Sequence, residues 1–521
     1  MLDEFVVSGQ WWLPNCPDIL IFGKLSFSPR NGATLELYGS FYKSPFEEIS
    51  HLEENENSAT QVNSNPSVGV TLRLIQREEK IILGSLDNNE EITLYGCRCS
   101  NQTLKFGVGR NGSCFSFNIQ YIFRQIHFQK EEEIKLKSIS IQYSNLEKWI
   151  SVSGIQNSFD DQGNQISVIY KKPSSIHLLK FNDLDLEITF SSNGSYFDIP
   201  CFKSHIEQKT FLTIQNICDQ SLDECFNLVI NFRDLLSFAM TMPTSVISIT
   251  GKVDITHTKF VEKEPEVFKQ EVEIQEIQVI IIFNLSNPEK ISNVNLAYSE
   301  MLFLFSDIED FGNVFEAWLN KRELYKSVFD LFLITMYSPD LYLHYKFLNI
   351  IQALEVYHTM KYEASIYQDK KVYKKGLYKK FREVLESFPS EHDNKENGIS
   401  DEFRNALKGK LKSQTEFTLQ TKIKEILNDI FSLLPNNFID KDIVIFANRA
   451  SETRHTLTHH DEEKRKKAPQ GRELSQLFHS LSVVLQICLL REINIPDESI
   501  QDLLVRNRKY QREWHPPSNG T

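Results

Sequence analysis

The sequence predicts an α+β protein, in which a β-rich N-terminal domain of antiparallel sheets is followed by an all-α helical bundle. Up to about residue 287, short segments alternate apolar and polar residues, which is typical of strands with one face toward water. From about residue 292 the apolar residues recur at helical spacing instead. This change of period predicts a β-rich domain over residues 1–290 and a helical domain over residues 291–521.

The strands of the first domain are predicted from alternating runs that end at turn residues such as Arg30-Asn31-Gly32 and Ser192-Asn193-Gly194. Antiparallel strands of this kind fold into a sandwich or an open barrel. Two polar segments, residues 53–67 and 156–165, are predicted to be surface loops, and residues 222–239 a helix packed on the sheet. The predicted strands include Asp18–Phe22, Thr34–Tyr38, Val70–Ile75, Glu91–Tyr95, Ser138–Ile141 and Leu186–Phe190.

The second domain begins with a helix for which Asn313 is predicted as the N-cap, with Glu316 completing a capping box. Pro339 ends this helical region, and the next helix carries an apolar stripe up to Leu354, with Glu355 directly after it. Four or more such helices form a bundle. Residues 389–402 are predicted to be a polar loop, and further helices are predicted within residues 403–434, 442–458 and 474–488.

Composition limits the possible functions. A net charge of -13 over 521 residues argues against general coating of nucleic acid, so any RNA contact must be a local patch. The eight cysteines include no C-x-x-C pair, which argues against a zinc or disulfide framework. The acidic start Met1-Leu2-Asp3-Glu4 is unlike a signal peptide, and apolar runs such as Val279–Phe283 are too short to span a bilayer. A soluble, cytoplasmic protein without membrane contact is therefore expected.

One segment near the end of the chain carries the groups for a specific chemistry. In Arg454-His455-Thr456-Leu457-Thr458-His459, a guanidinium precedes an imidazole by five positions. An imidazole can take the proton from a ribose 2′-hydroxyl or give one to the departing 5′-oxygen. A guanidinium donates two parallel hydrogen bonds to the phosphate as negative charge develops on it. These groups are sufficient for RNA cleavage without a metal or cofactor, so none is expected.

The same segment resembles a known family. An arginine, a polar residue, three further residues and a histidine, here Arg454-His455-x3-His459, resemble the signature of HEPN ribonucleases. The specific branch that the chain resembles is the ApeA-type anti-phage HEPN protein. The resemblance extends over the whole chain. The other segments that carry it are Gly9-Gln10-Trp11-Trp12-Leu13-Pro14, Ile21-Phe22-Gly23-Lys24-Leu25 and Gln352-Ala353-Leu354-Glu355.

The resemblance implies a role for each residue of the motif. HEPN proteins are characteristically dimers in which the motif helices meet at a two-fold axis, so Arg454 and His459 of both chains would form one pocket. His459 would act as general base or acid, and Arg454 would hold the scissile phosphate. His455 would orient either group. The expected products carry a 2′,3′-cyclic phosphate and a 5′-hydroxyl.

The resemblance also implies a physiological role. The β-rich domain is expected to be a sensor that responds to a phage protein, and the helical domain an endoribonuclease toxin that acts in abortive infection. The expected substrate is tRNA, cut in the anticodon loop. The expected assembly is a homodimer through the helical domain, or a larger oligomer.

Other pairings of arginine and histidine stay open in this segment. Arg449 with His455, or Arg454 with His460, fits the spacing of the family as well. On a regular helix Arg454 and His459 would point about 140° apart, so the helix must end between them or a second subunit must complete the site. Arginine and histidine are also common near helix C-termini for electrostatic reasons alone.

Two further functions stay open. His455 and His459 are spaced for zinc on one helix face, with Asp461 or Glu462 as a third ligand, which would make the protein a zinc hydrolase. Thr456, however, stands where zinc proteases carry their general-base glutamate. The other alternative is a non-catalytic HEPN module that binds RNA or a protein.

RNA must also be held, and three basic segments could bind it. Residues 370–382 and the tail 506–514 combine Lys and Arg with aromatic rings on which unpaired bases can stack. Glu355 is a candidate partner for the motif. The candidate substrate-binding residues are Glu355, Lys464, Arg465, Lys466, Lys467, Arg508 and Lys509.

Overall fold

The computed structural model describes residues 4–41, 61–63, 71–73, 78–105, 112–159, 166–181, 183–194, 205–264, 267–283, 296–362, 370–392, 396–413, 417–434, 438, 442–458 and 469–510. The chain divides into two units. The β unit comprises Met1–Tyr298 and Leu304–Gly312, and the helical unit comprises Ser299–Phe303 and Asn313–Thr521. The division after residue 290 stays a prediction, because residues 284–295 lie outside the described part of the chain.

The β unit is built almost entirely from antiparallel strands, as the alternating pattern predicts. Its described strands are β1 (Phe5–Leu13), β2 (Cys16–Ser28), β3 (Gly32–Leu37), β4 (Gln61–Asn63), β5 (Thr71–Arg73), β6 (Glu78–Leu86), β7 (Glu91–Lys105), β8 (Gly112–Arg124), β9 (Leu136–Tyr143), β10 (Ile155–Phe159), β11 (Ile166–Tyr170), β12 (Ile176–Phe181), β13 (Leu184–Gly194), β14 (Ile206–Gln215), β15 (Val246–Glu264) and β16 (Val267–Phe283).

Six of these strands close into an antiparallel barrel. Pairing runs in the order β8, β3, β2, β1, β6, β7, and β7 then pairs with β8 along its length. Closure removes the open edges that these strands would otherwise expose. The sequence therefore predicts the strand type correctly, and the sheet closes as a barrel through the pairing of β7 with β8.

The interior of the barrel is filled by large apolar side chains, and one glycine allows the largest of them to fit. Trp11 is fully buried, together with Leu35 and Leu94. A Cβ atom placed on Gly84 would lie 2.2 Å from Cε3 of the Trp11 ring. The indole therefore packs directly against the backbone of β6, which only glycine permits here.

A second antiparallel sheet continues from the barrel. Its order is β12, β13, β14, β9, β15, β16, and it joins the barrel because β16 pairs with the end of β8 at Tyr121–Arg124. β3 pairs with the preceding part of β8, at Phe115–Ile119. One edge of β8 thus passes from the barrel to the second sheet. A separate hairpin consists of β10 and β11.

The helix predicted over residues 222–239 is present as α2 (Leu222–Met240), preceded in the chain by the short α1 (Leu146–Ile150). Ser221 and Glu224 form a capping box at its start. The Tyr143 hydroxyl of β9 donates to the Val229 carbonyl at 2.8 Å. A buried helix is thereby fastened to the sheet.

The helical unit forms the predicted all-α bundle. Its last long helix, at Gly471–Glu492, has the length and composition to cross a membrane, but 61% of its most apolar window is buried inside the protein, as in the core helix of a bundle. The described helices are α3 (Phe311–Leu324), α4 (Lys326–Tyr337), α5 (Leu343–Lys361), α6 (Lys370–Lys375), α7 (Leu377–Ser387), α8 (Asp401–Ser413), α9 (Leu419–Asp429), α10 (Ile443–Thr458), α11 (Gly471–Glu492) and α12 (Asp497–Arg506).

Four local predictions are wrong. Asn313 does not cap a helix, because α3 already begins at Phe311, and its side-chain oxygen instead accepts from Asn494 at 3.0 Å. Ser192-Asn193-Gly194 is not a turn, since these residues still pair with β14. The loop predicted at 156–165 contains most of β10, and the loop predicted at 53–67 contains β4. In the three segments that form strands, pairing with a neighbouring strand overrides the local preference.

A buried carboxylate connects three helices of the helical unit. Glu492, whose side chain is 2% exposed, accepts from Lys321 of α3 and Lys361 of α5, each at 2.7 Å. Tyr357 donates to the same carboxylate at 3.1 Å. Burial alone would raise the pKa of Glu492, but the two lysines reverse the effect and hold it below its ordinary value. The C-terminal end of α11 is therefore fastened to α3 and α5 by charge-assisted hydrogen bonds.

The contact between Trp11 and Gly84 predicts a specific cost for one added methyl group. Gly84→Ala should lower the free energy of unfolding by about 1–3 kcal/mol, because the indole or β6 must move. Guanidinium unfolding followed by tryptophan fluorescence measures the change. Gly194→Ala is the matched control, since a Cβ there meets nothing within 4 Å. Equal stability of the two variants would contradict the close packing.

The network around Glu492 predicts a pH-dependent loss. Glu492→Gln should cost about 2 kcal/mol at neutral pH, less than for a fully buried pair because both lysines are half-exposed. The folded-state pKa is depressed, so the carboxylate contributes its stability above the ordinary glutamate pKa of about 4.3. The difference from wild type should shrink as the pH falls through and below that value.

Unfolding by guanidinium at a series of pH values, followed by circular dichroism, tests this dependence. Glu323→Gln serves as the control, since Glu323 is an exposed carboxylate of α3. A Glu492→Gln difference that stays constant with pH would show that the lost stability comes from packing and not from charge.

Candidate active site

The predicted motif lies on α10, which packs against α9 and α5. Its buried face consists of small residues at intervals of three, namely Ala447, Ala450, Thr453 and Thr456. The threonine hydroxyls donate to carbonyls of the preceding turn, for example from Thr453 to Arg449 at 2.7 Å. Small side chains with internally satisfied hydroxyls allow α10 to approach its neighbours closely.

Arg454 lies on this helix but is exposed. It follows Ala447 by seven positions, so on the helix it lies only about 20° from that fully buried alanine. The buried residues recur every three positions, so by Thr453 and Thr456 the buried face has turned away from this direction, and Arg454 is left on the exposed side of the helix. Within the described residues, the Arg454 guanidinium forms no ion pair. It is therefore in a position to bind an external anion.

The histidines of the motif divide between described and undescribed residues. His455 lies on α10 and is exposed. The described part of α10 ends at Thr458, one residue before His459, and both His459 and His460 lie outside the described residues. The convergence of Arg454 with His459, and the alternative with His460, therefore stay predictions.

The alternative that pairs Arg449 with His455 finds no support in the geometry. Both residues belong to the regular helix α10, where six positions place them about 120° apart. Arg449 also has another partner, because its guanidinium donates to Glu473 of α11 at 3.0 Å. Within one chain these two side chains do not converge.

Glu355 belongs to a polar seam between α5 and α9. Its carboxylate lies 3.5 Å from the ammonium group of Lys422, which is buried and donates to the Thr359 hydroxyl at 3.1 Å. His358 Nε2 meets a Glu425 oxygen at 2.6 Å, and the Tyr362 hydroxyl donates to Asp429 at 2.7 Å. In the pairs Glu355–Lys422, His358–Glu425 and Tyr362–Asp429, the partners are each 67 positions apart.

This constant offset means that α5 and α9 run parallel and keep the same register over all three pairs. Glu355 is thereby occupied in holding α9, the helix against which the motif helix packs. Its carboxylate is therefore linked to the motif through the packing of α5 and α9 against α10.

Sequence reasoning missed His358, which the structure buries completely. No described group is within hydrogen-bonding distance of its Nδ1 atom, while Nε2 meets Glu425. The sequence did contain an indication that this histidine is buried, because it belongs to the apolar helix face that includes Leu354 and Tyr357. Its partner could not be read from the sequence, because only the fold brings α9 beside α5.

The predicted basic segments are distributed over several surfaces. Lys464, Arg465, Lys466 and Lys467 lie outside the described residues. Residues 370–382 form α6 and α7, where the cations are largely exposed. Tyr373, however, is 5% exposed and its hydroxyl donates to the Leu411 carbonyl, so it cannot stack on a base.

In the C-terminal segment, too, the cations are accessible while a tyrosine ring is buried. Arg508 is exposed and Lys509 half-buried, whereas Tyr510 is buried and donates to Gln486 at 2.6 Å. The prediction that rings of this segment are available for stacking is therefore wrong for Tyr510, as it is for Tyr373.

The part of the chain that the structure describes contains no group of three or more His, Cys, Asp or Glu side chains arranged to hold a metal ion. Of the ligands of the zinc alternative, His455 is exposed on α10, whereas His459, Asp461 and Glu462 lie outside that part. The described thiols Cys97 and Cys99 are buried and unbridged.

Comparison with family models gives two matches that together span most of the chain. The model described as ApeA N-terminal domain 1 matches residues 7–318. The model described as Apea-like HEPN matches residues 348–499, which include Glu355, His358 and the whole of α10. No curated protein and no solved structure matches the chain.

Proposed function

The chain belongs to the ApeA-type HEPN family, and from this premise we propose that it is an anti-phage effector whose helical unit cleaves RNA without a metal. The observation that carries the proposal is Arg454. Its guanidinium is exposed near the C-terminal end of the described part of α10, five positions before a histidine. A charged donor of this kind is suited to a phosphodiester.

The proposed reaction is an attack of the ribose 2′-oxygen on the adjacent phosphorus. His459 takes the proton of the 2′-hydroxyl, the new P–O bond forms, and the bond to the 5′-oxygen breaks. A second imidazole or the protonated His459 gives a proton to the departing oxygen, which leaves as a 5′-hydroxyl. Arg454 stabilises the additional charge on the phosphorane. The other product is a 2′,3′-cyclic phosphate.

The helical geometry of α10 favours a site made by two chains. If the helix continued regularly, Arg454 and His459 of one chain would point about 140° apart. A two-fold axis beside the C-terminal end of α10 would bring Arg454 of each chain toward His459 of the other. We therefore propose a homodimer through the helical unit, with His455 as an orienting residue at the contact.

The proposed substrate is an unpaired RNA loop, such as the anticodon loop of tRNA. Attack of the 2′-oxygen requires alignment with the departing 5′-oxygen, which a flexible backbone reaches and a regular duplex does not. Cleavage there would stop translation in the infected cell. This substrate follows from the family and from the chemistry of the attack.

The proposed sensor is the β unit, and its long hairpin is the element best suited to recognise a phage protein. β15 pairs with β9 only up to Val253, and β16 pairs with β8 only from Ile280. Between these points the two strands pair only with one another among the described residues. Within the described part of the chain no third strand pairs with this ribbon, so its two edges could accept a strand from a partner.

Substitution of the two catalytic residues tests the proposed reaction. His459→Ala and Arg454→Ala should each reduce RNA cleavage at least about 100-fold, because the proton transfer or the charge stabilisation is lost. Protection of bacteria against phage should be lost with it. The measurement is sequencing of RNA ends with cyclic phosphates from challenged cells, together with the mass of the purified variants in solution.

Arg449→Ala is the matched control, since Arg449 lies on the same helix but pairs with Glu473. It should retain cleavage within about threefold. Cleavage at the wild-type rate by His459→Ala would rule out the proposed catalysis and leave a non-catalytic binding module. Loss of cleavage by the purified wild-type protein in EDTA would instead support the zinc alternative.

A further inference from the structure

Three aromatic rings are grouped at the start of α5. Tyr342, which precedes the helix, is 72% exposed, and Tyr345 is 50% exposed. The ring of His344 stacks on Tyr342, with centroids 5.7 Å apart and planes at 16°. It also contacts Tyr345 at a centroid distance of 4.1 Å. The exposed rings are therefore held as one platform.

Positive charge lies beside this platform. Lys346 occupies the first turns of α5 and donates to the Pro339 carbonyl at 3.0 Å. Lys346 and Lys509 both act electrostatically on His479 of α11, so the three groups are close together. Burial first, and then the charges of Lys509 and Lys346, lower the pKa of His479 to about 4. At neutral pH the imidazole is uncharged, and the two ammonium groups set the charge of the cluster.

These lysines remain available to an external anion. Among the described residues, neither Lys346 nor Lys509 forms an ion pair with a carboxylate. Tyr342 also provides no side-chain cap for α5, so the amide groups of its first turn add positive potential. In a chain of net charge -13, such a cluster is a local exception.

Lys509 lies in a turn that is stabilised by the hydrogen bonds of a buried asparagine. Asn507 is fully buried, and its amide donates to the Met301 carbonyl at 3.0 Å. Its side-chain oxygen accepts from the backbone of Lys509 at 3.0 Å and of Tyr510 at 3.2 Å. The Tyr510 hydroxyl in turn donates to Gln486 of α11. The ammonium group is therefore presented from an ordered segment.

The cluster is near the motif helix. Glu473 of α11, which pairs with Arg449 of α10, precedes His479 by six residues. Six residues of helix span about 9 Å along the axis. Arg449 lies five residues before Arg454 on α10, so the motif helix and the cluster both contact the N-terminal half of α11.

We infer that Tyr342, His344 and Tyr345, together with Lys346 and Lys509, form a subsite for unpaired nucleotides of the RNA substrate. The exposed rings stack on bases, and the ammonium groups bind the phosphodiester between them. Stacking requires bases that are not in a duplex, so the subsite selects single-stranded segments. The inference rests on the proposed function, because it assigns the substrate of that site.

Binding of RNA to the full chain tests the subsite separately from cleavage. The probe is a short, fluorescein-labelled, single-stranded 2′-O-methyl RNA, which lacks the hydroxyl that the proposed reaction requires. Fluorescence anisotropy at several KCl concentrations gives the affinity and its salt dependence. The variants are Tyr342→Ala with Tyr345→Ala, the same pair changed to Phe, and Lys346→Ala with Lys509→Ala.

The double alanine variant at the tyrosines should bind at least about tenfold more weakly, whereas the double phenylalanine variant should stay within about twofold of wild type. The double lysine variant should bind more weakly and reduce the slope of log affinity against log salt by about 1.4, the value for two phosphate contacts on a single strand. Tyr38→Ala and Lys24→Ala, exposed residues of the β unit, are the controls and should bind like wild type. Thermal unfolding verifies that each variant is folded.

Wild-type affinity of the double alanine variant would overturn the subsite, even if His459→Ala abolishes cleavage and so supports the proposed reaction. Weaker binding by the patch variants, with normal cleavage by His459→Ala, would support the subsite and reject the proposed catalysis. A change of molecular mass on sedimentation with unchanged RNA affinity would identify the rings as a protein contact, which also overturns the inference.

Discussion

The close packing of α10 on α9 and α5 is the constraint on which the candidate active site depends. Ala447 and Ala450 are fully buried, and larger side chains at these positions would move the helix outward. Because the helix is anchored over this length, the position of Arg454 at its exposed end is determined by the core. The proposed site is thus a rigid extension of the bundle, which favours precise placement of a charged group.

The helices under α10 are themselves fixed in register by polar contacts. The three pairs between α5 and α9 repeat at a constant offset, so a shift of one residue along the axis would break all of them together. Lys422 and His358 are buried, and each would be left unpaired in any other register. Apolar contacts alone tolerate such sliding much better. The polar seam therefore fixes the register of α5 and α9, whereas the hydrophobic face contributes most of the stability of their contact.

The sequence predicts those features that depend on local period. Alternation identified the strands of the β unit, and the helical stripe identified α10 and α11 within a few residues. The closure of the barrel depends on the pairing of β7 with β8, which no local pattern encodes. Tyr373 and Tyr510 lie in basic segments, whose composition predicted that the rings are exposed. Each ring is instead buried, and its hydroxyl donates a hydrogen bond to a residue distant in sequence.

In the candidate site, too, contacts between residues distant in sequence could not be predicted. The motif correctly placed Arg454 on a helix. The partner of Glu355 could not be predicted, because Lys422 is distant in sequence and nothing distinguishes it there from the other lysines of the chain. Tyr342 and Tyr345 were missed for a different reason. They lie in a segment with no unusual charge, and only the fold brings Lys509 toward them.

The distribution of charge connects these observations to the selection of RNA. A chain that is acidic overall repels polyanions at long range, so duplex nucleic acid gains little from it electrostatically. A substrate must then recover its binding free energy from a few well-placed cations and from stacking, which duplexes cannot offer because their bases are already stacked. If the proposed subsite binds RNA, its cations and exposed rings would favour unpaired RNA over a duplex before any bond is broken. On this argument the negative charge of the chain contributes to its selectivity.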